Sequence, residues 1–250
     1  MLRARLLLCP QFTEVEWTIA PRLSEWAEVA TFDAPGVGDE PIPSGDRRRI
    51  DRKLVVDRAL REVETRGWDS YFVVGDAWGT ATAARVAASR PGSVMGLALG
   101  HASLDYEMEG DRPAINGKLV AAMTQLLRSD YDSFVRYGLT QFTQGGFDEE
   151  TSSRIVDRFP PMDIAAEVWE MHVRRTKPIA NLLARLNKPL LLARHDGCLV
   201  FTAEGYEDAV AAFPQAHRAS VQKASSASDE FAAALREFCD HVLSDEQGSK

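Results

Sequence analysis

The sequence predicts an α/β fold in which a mostly parallel sheet of about six strands has helices on both faces. Apolar strand-like segments alternate with helical segments along most of the chain, the order typical of parallel strands joined by crossover helices. Residues 71–74 read Tyr-Phe-Val-Val, as expected for a strand buried on both faces. With 250 residues, 45% of them hydrophobic, the chain can close one large core, which excludes a disordered or fibrous protein.

The predicted strands are short apolar segments that contain few charges. They cover residues 5–9, 28–32, 70–75, 94–99, 189–193 and 218–222. The last is the weakest, because its apolar residues only alternate with polar ones.

Four helices are predicted between and after these strands, at residues 51–65, 78–89, 204–213 and 228–243. The first has apolar side chains at helical spacing on one face and charged side chains on the other. The second consists mostly of small residues, which allows a helix to pack closely on a sheet.

Residues 111–186 interrupt the alternation, because they contain only helical patterns and turn signals. We therefore predict one continuous domain with a core made of residues 1–110 and 187–250 and a helical insertion at 111–186. The insertion follows the fourth strand, at the end of the sheet where open α/β folds bind ligands, so it is expected to form a lid over a pocket.

The composition excludes some classes of binding partner and indicates a cellular compartment. A formal net charge of −8 argues against binding to nucleic acid. The three cysteines are far apart, and the histidines and carboxylates show no metal-ligand spacing, so no disulfide, metal or cofactor is predicted. The cysteine usage fits a reducing setting, so a cytoplasmic protein is expected. The first apolar run is too short for a secretory signal or a membrane span and is assigned to a buried strand. Formation of a homodimer is left open.

One motif carries a resemblance to a known family. Residues 75–79 read Gly-Asp-Ala-Trp-Gly and lie between a buried strand and a helix, the context of the G-x-S-x-G nucleophile elbow. Residues 32–39 look like the loop after the second recognised strand in many members, and residues 87–94 look like the passage from helix to strand after their elbow. The sequence therefore resembles the α/β-hydrolase superfamily, which implies that fold.

The chain departs from the family pattern at all three catalytic positions. Ala77 occupies the position of the nucleophile, and an alanine methyl cannot attack a carbonyl group. Residues 222–228, where the resemblance places the general base, contain no histidine. The position of the orienting acid falls on Gly197, next to Asp196. These departures predict that the chain does not use the Ser-His-Asp mechanism.

The residues expected at the carboxyl ends of the strands are the candidates for a site. Asp76 and His101 are the catalytic candidates, although Asp76 could instead cap a helix and His101 could simply bind a backbone carbonyl. The candidate ligand-binding residues are Gln11, Phe12, Ala77, Trp78, His195, Asp196 and Cys198.

Several of these candidates have a more specific expected role or a simpler structural alternative. The resemblance implies that backbone N–H groups near Gln11 or Phe12, and that of Trp78, form an oxyanion hole that needs no serine. His195 and Asp196 could form a displaced catalytic pair, but placement at the surface without a partner is the simpler expectation, and His172 is expected to face solvent. Cys198 could act as a nucleophile only if a neighbouring cation lowered its pKa, and a small buried thiol is the commoner role of a single cysteine.

Three functions are consistent with these features. The first is a non-hydrolytic enzyme that holds a small apolar organic molecule under the lid and catalyses proton transfer, cyclisation, elimination or addition. The second is a non-catalytic protein that binds a small molecule in a degenerate hydrolase site. The third is a serine esterase-like hydrolase that is inactive because of Ala77.

Overall fold

Six parallel strands form one sheet in the computed structural model, which describes residues 3–42, 50–104, 113–136, 149–174, 179–222 and 229–248. The strands are β1 (Ala4–Cys9), β2 (Ala27–Ala30), β3 (Tyr71–Asp76), β4 (Val94–Gly100), β5 (Leu190–His195) and β6 (His217–Val221). Their order across the sheet is β2-β1-β3-β4-β5-β6. Each predicted strand is present, with ends that differ by at most two residues, and the fold prediction is confirmed.

Nine helices are present in the described part of the chain. They are α1 (Ala20–Leu23), α2 (Arg52–Thr65), α3 (Gly79–Ser89), α4 (Gly117–Ser129), α5 (Glu149–Arg158), α6 (Met162–Val173), α7 (Ala180–Leu186), α8 (Ala203–Ala212) and α9 (Asp229–Gly248). The four helices predicted outside the insertion correspond to α2, α3, α8 and α9. The short α1 and a 3-10 turn at Glu14–Glu16 were not predicted.

Two of the predicted helices begin where a side chain satisfies an otherwise unpaired backbone donor. The Asp51 carboxylate accepts a hydrogen bond from the backbone N–H of Leu54 at 2.9 Å. The Thr202 hydroxyl accepts one from the N–H of Gly205 at 3.1 Å. These caps define the first turns of α2 and α8.

The sheet separates two apolar layers because successive strand residues point to opposite faces. On one face, Leu6 and Leu8 of β1 pack in a layer with Phe231 and Leu235 of α9. On the other face, Leu7 packs in a layer with residues of α2, α3 and the insertion. Burial on both faces explains why the central strands are apolar at nearly every position.

Along the chain, the described helices of the predicted insertion, α4 to α7, follow β4 and precede β5. Trp169 of α6 donates a hydrogen bond from Nε1 to the Thr124 hydroxyl of α4 at 2.8 Å, and the N–H of Ile179 donates to the carbonyl of Leu104 at 3.0 Å. Residues 105–112, 137–148 and 175–178 of this region lie outside the described residues. That the region acts as a lid stays a prediction. No described helix combines the length and the apolar character that a membrane crossing requires.

Close packing of α3 on β1 generates a first prediction. A Cβ atom at Gly79 would overlap the carbonyl oxygen of Cys9, which belongs to the backbone of a buried strand. We expect Gly79→Ala to lower the free energy of unfolding by about 2 kcal/mol or more in urea denaturation, because neither backbone can move without disturbing the core. Gly92→Ala is the matched control, since a Cβ there meets no atom within 4 Å. Equal stability of the two variants would contradict this packing.

Candidate active site

The chain turns sharply between β3 and α3, and Ala77 is the residue at the turn. Its φ of 48° lies in the left-handed region, which an alanine adopts only at an energetic cost. A Cβ atom at Gly75 would come within 2.7 Å of the Ala83 Cβ, so packing requires glycine there as well as at Gly79. The turn predicted from residues 75–79 is therefore present in the structure.

Aromatic side chains occupy the space around this turn. Trp78 is fully buried, and its ring centroid lies 5.2 Å from that of Phe201, 6.0 Å from that of Trp169 and 6.1 Å from that of His172. Ala77 is only 2% exposed. The structure thus places Ala77, Trp78 and Phe12 in one apolar cluster with the insertion helices.

Next to the turn, the ends of three neighbouring strands bring together Asp76, His101 and His195. The Nδ1 atom of His101 is 2.8 Å from the Asp76 Oδ1 atom, and the Nε2 atom of His195 is 3.7 Å from the same oxygen. All three residues are less than 8% exposed. The rings of His101 and His195 stack with centroids 4.0 Å apart and planes 9° apart.

The backbone is shaped to permit this contact. Gly100 pairs in register with Asp76 across β3 and β4, and a Cβ at Gly100 would overlap the Asp76 carboxylate. His101 follows immediately with a φ of 46°, a conformation that is uncommon for histidine. Non-glycine residues held in this region cluster at functional sites, which agrees with a role for His101.

These three residues also form a candidate group of metal ligands, since their ligand atoms lie within 4.8 Å of one another. The stacking of the two rings does not suit a shared ion. An imidazole nitrogen directs its lone pair in the plane of its own ring, and two parallel planes about 4 Å apart do not meet at one point. The arrangement is therefore that of a carboxylate with two histidine partners, in which Asp76 contacts His101 and favours the protonated form of its imidazole.

A cavity of about 220 Å³ opens beside His101. Its lining combines the segment after β4, the loop after β5 and the first turn of α8, and it includes His101, Ser103, Arg194, His195, Cys198, Phe201, Thr202, Ala203, Glu204 and Tyr206. Most of these side chains are polar. Of the predicted ligand-binding residues, His195 and Cys198 line this cavity.

Cys198 lines the same cavity as His101. Its sulfur accepts a hydrogen bond from the backbone N–H of Phe201 at 3.4 Å. Burial opposes ionisation of the thiol, but the charge of His101 and the neighbouring backbone N–H groups outweigh it and lower the pKa of Cys198. Burial also opposes protonation of His101, but the charges of Asp76 and Cys198 raise its pKa to about 10.

The backbone donors that were expected near Gln11 or Phe12 for an oxyanion hole are already bound, so that part of the expectation was wrong; the part that concerns the Trp78 N–H stays a prediction. The backbone N–H groups of both residues donate hydrogen bonds of 2.9 Å to the carboxylate of Glu16. The N–H of Thr13 donates to the same carboxylate at 3.1 Å. Burial raises the pKa of Glu16 to about 7, although these three donors lower it. The sequence signal for this contact is the capping box formed by Thr13 and Glu16.

Three further expectations concern histidines and a carboxylate. His172 was expected to face solvent, but it is 1% exposed, and its Nε2 atom is 2.7 Å from the carbonyl oxygen of Gln11. Burial, together with the charge of Arg52, lowers the pKa of His172 to about 3, so the neutral ring donates this hydrogen bond. His195 was expected at the surface, but β5 continues through it and carries its side chain into the interior. Asp196 is partly exposed and pairs with Arg194 at 3.0 Å, away from Asp76.

Solved structures show what kind of fold surrounds this site. The chain superposes on a hydrolase from Oleispira antarctica with a TM-score of 0.77 and 12% identity, covering 95% of this chain and 91% of that one. It superposes on a bromoperoxidase from Bacillus anthracis with a TM-score of 0.73 and 17% identity, covering 96% of this chain and 92% of that one. It superposes on an enol-lactonase from Burkholderia xenovorans with a TM-score of 0.72 and 15% identity, covering 98% of this chain and 92% of that one.

These similarities show that the protein has the α/β-hydrolase fold. No model of a known protein family matches the sequence, and no curated protein matches it significantly. The activity must therefore be inferred from the site itself, because one fold carries many chemistries.

The role of Glu16 generates a second prediction. We expect Glu16→Ala to lower the free energy of unfolding by about 2 kcal/mol or more, because three backbone donors lose their acceptor. Glu14→Ala is the matched control in the same turn; its carboxylate is 41% exposed and lies 3.6 Å from Arg158. We expect that variant to change stability by less than about 1 kcal/mol in the same urea titration. Similar losses in both variants would show that Glu16 does not hold this loop.

Proposed function

We propose that this protein is an enzyme whose acid–base centre is the Asp76–His101 pair and which does not use the elbow residue Ala77. The observation that carries the proposal is the 2.8 Å contact between His101 and Asp76 at the edge of a cavity. A buried carboxylate that orients a histidine and stabilises its protonated form is an arrangement that supports general acid–base catalysis.

The surroundings of Ala77 support a centre away from the elbow. Ala77 is buried, and the backbone donors of Gln11 and Phe12 bind Glu16. A reacting carbonyl would therefore find no nucleophile at the elbow and no free donor from Gln11 or Phe12. His101, in contrast, lines the cavity together with Cys198.

The size and lining of the cavity favour a small organic substrate that carries a polar or charged group. Arg194, Glu204 and Tyr206 can form hydrogen bonds to such a group, whereas Phe201 provides an apolar wall. The sequence predicted an apolar molecule, and the polar lining changes that part of the proposal. Proton transfer, elimination and cyclisation are reactions that the Asp76–His101 pair can support without a nucleophile.

Loss of the acid–base pair is the direct test. A thermal-shift screen of small carbonyl compounds and alcohols identifies a ligand, and mass spectrometry after incubation measures its conversion. We expect Asp76→Asn and His101→Gln to bind this ligand and to lower turnover by about 10²-fold or more, because the proton donor is removed or no longer oriented. Asp132→Asn, which changes an exposed carboxylate that pairs with Arg136 at 3.0 Å outside the cavity lining, is expected to keep turnover within about twofold.

The main alternative is a protein that binds a small molecule without converting it. Recovery of the ligand unchanged from the wild-type protein after long incubation would favour that alternative and contradict the proposal. Unchanged turnover in both His101→Gln and Asp76→Asn would remove the pair from the mechanism.

A serine hydrolase inactivated at Ala77 is the remaining alternative. We expect Ala77→Ser to remain unlabelled by a fluorophosphonate, because the new hydroxyl would be buried and the backbone donors of Gln11 and Phe12 already bind Glu16. Mass spectrometry of the intact protein checks this, with a commercial serine esterase as the positive control. Stoichiometric labelling at position 77 would restore this alternative.

A further inference from the structure

A second cavity, of about 610 Å³, lies among the helices that cover one face of the sheet and is lined by residues of α2, α3 and α7. Among the described residues, it shares no lining residue with the cavity beside His101. We propose that this second cavity binds a small aliphatic phosphate monoester, that is, a phosphate head group on a short saturated chain. Such a site is separate from the Asp76–His101 pair and goes beyond the function proposed above.

Four cationic side chains line this cavity, although the whole chain has a formal net charge of −8. They are Arg52 and Lys53 of α2, Arg85 of α3 and Arg185 of α7. None of the described lining residues carries a carboxylate. This local excess of positive charge favours an anionic ligand.

The three arginines are oriented by contacts that do not neutralise them. Each donates a hydrogen bond to a backbone carbonyl, at 2.8 Å for Arg52 and Arg85 and at 3.2 Å for Arg185. A carbonyl carries no net charge, so the positive charge of the guanidinium groups stays available to a ligand. Arg52 is only 9% exposed, so its charge lies inside the protein. Lys53 contributes less, because Asp57 pairs with it at 2.5 Å.

Apolar residues accompany these cations at helical spacing. In α2, Val56 follows Arg52 by four positions, and in α7, Leu182 precedes Arg185 by three. Residues at these spacings share one face of a helix, so both helices present an apolar side chain next to a cation. Ile179 adds a further apolar surface to the lining. The cavity therefore suits a ligand that has a charged head and an apolar body.

The number of cations favours a phosphate over a carboxylate as the head group. A phosphate monoester carries about 1.5 to 2 negative charges near pH 7 and presents three acceptor oxygens, whereas a carboxylate carries one charge and presents two. Guanidinium groups bind phosphate oxygens through paired N–H donors. Arg52, Arg85 and Arg185 come from three different helices, so a dianionic group in the cavity can interact with more than one of them.

The remainder of the lining favours an aliphatic body over a nucleoside. Proteins commonly bind nucleobases by stacking them on aromatic side chains, and none of the described lining residues is aromatic. Val56, Ile179 and Leu182 offer saturated surface instead. The volume lies within the range of about 300 to 1,000 Å³ that is usual for small-molecule sites.

Isothermal titration calorimetry of the full chain with octyl phosphate tests this site. We expect one molecule to bind per chain, with a Kd of about 0.1 mM or tighter at low ionic strength. Inorganic phosphate lacks the chain and 1-octanol lacks the charge, so we expect each to bind at least about tenfold more weakly. Raising the KCl concentration from about 0.05 M to about 0.5 M should weaken the binding of octyl phosphate severalfold, because salt screens the charges.

Substitutions locate the ligand in this cavity. We expect Arg85→Gln and Arg185→Gln each to weaken the binding of octyl phosphate about fivefold or more, because each removes a charged donor. Leu182→Ala is expected to weaken it about threefold through loss of apolar contact. Arg236→Gln is the matched control, since this exposed arginine pairs with Asp240 at 3.8 Å on α9, which covers the opposite face of the sheet. We expect the control to bind within about twofold of the wild type.

Several results would overturn this assignment. Wild-type protein that binds no octyl phosphate would remove the site, and equal affinity for inorganic phosphate would remove its apolar part. AMP that binds as tightly as octyl phosphate would contradict the aliphatic class. Loss of binding in Arg194→Gln, with wild-type affinity in Arg85→Gln and Arg185→Gln, would place the ligand in the cavity beside His101 instead.

A membrane lipid is the other source of an aliphatic phosphate, and co-sedimentation with phosphatidylcholine vesicles that contain phosphatidic acid distinguishes the two. We expect the protein to stay in the supernatant, because its net negative charge is repelled by an anionic surface. Co-sedimentation that Arg85→Gln and Arg185→Gln abolish would identify a membrane surface as the partner and overturn the assignment to a free ligand. None of these measurements uses turnover, so their failure leaves the Asp76–His101 proposal standing.

Discussion

A carboxylate buried at the end of a parallel sheet needs partners that compensate its charge, and at Asp76 these partners are two imidazoles. The surrounding backbone follows from this requirement. Position 100 must be a glycine because a Cβ would displace the carboxylate, and His101 must adopt a left-handed φ to bring its ring to the oxygen. The charge of Asp76 also raises the pKa of His101, against the opposing effect of burial.

The site and the fold carry different information about activity. The strand order and the sharp turn at Ala77 are those of the α/β-hydrolase fold, yet the space at that turn is filled by Trp78, Trp169 and Phe201. Glu16 occupies the backbone donors of the adjacent loop. The cavity that remains lies one strand further along the sheet, beside His101, so the chemistry we propose shifts with it.

The sequence was sufficient for the strands, the order of elements and the turn at residues 75–79, because these depend on local apolar patterns and on glycine spacing. It also placed Asp76 and His101 at adjacent strand ends, although their catalytic role stays a prediction. That Cys198 lines the same cavity as His101 depends on the path of the loop after β5, for which no periodic pattern exists. The burial of His195 was missed because a strand end cannot be located to within two residues from sequence. Glu16 was missed although its capping box was visible.

The strained turn at Ala77 has a consequence for how this fold can diverge. A left-handed alanine costs about 1–3 kcal/mol, and in this chain no nucleophile benefits from it. Gly75 and Gly79 maintain the turn because the surrounding backbone and side chains leave no room for a Cβ. Packing alone therefore holds the turn in place, whichever side chain stands at position 77. A motif of this shape can serve as a packing element, so its presence is not by itself evidence of activity.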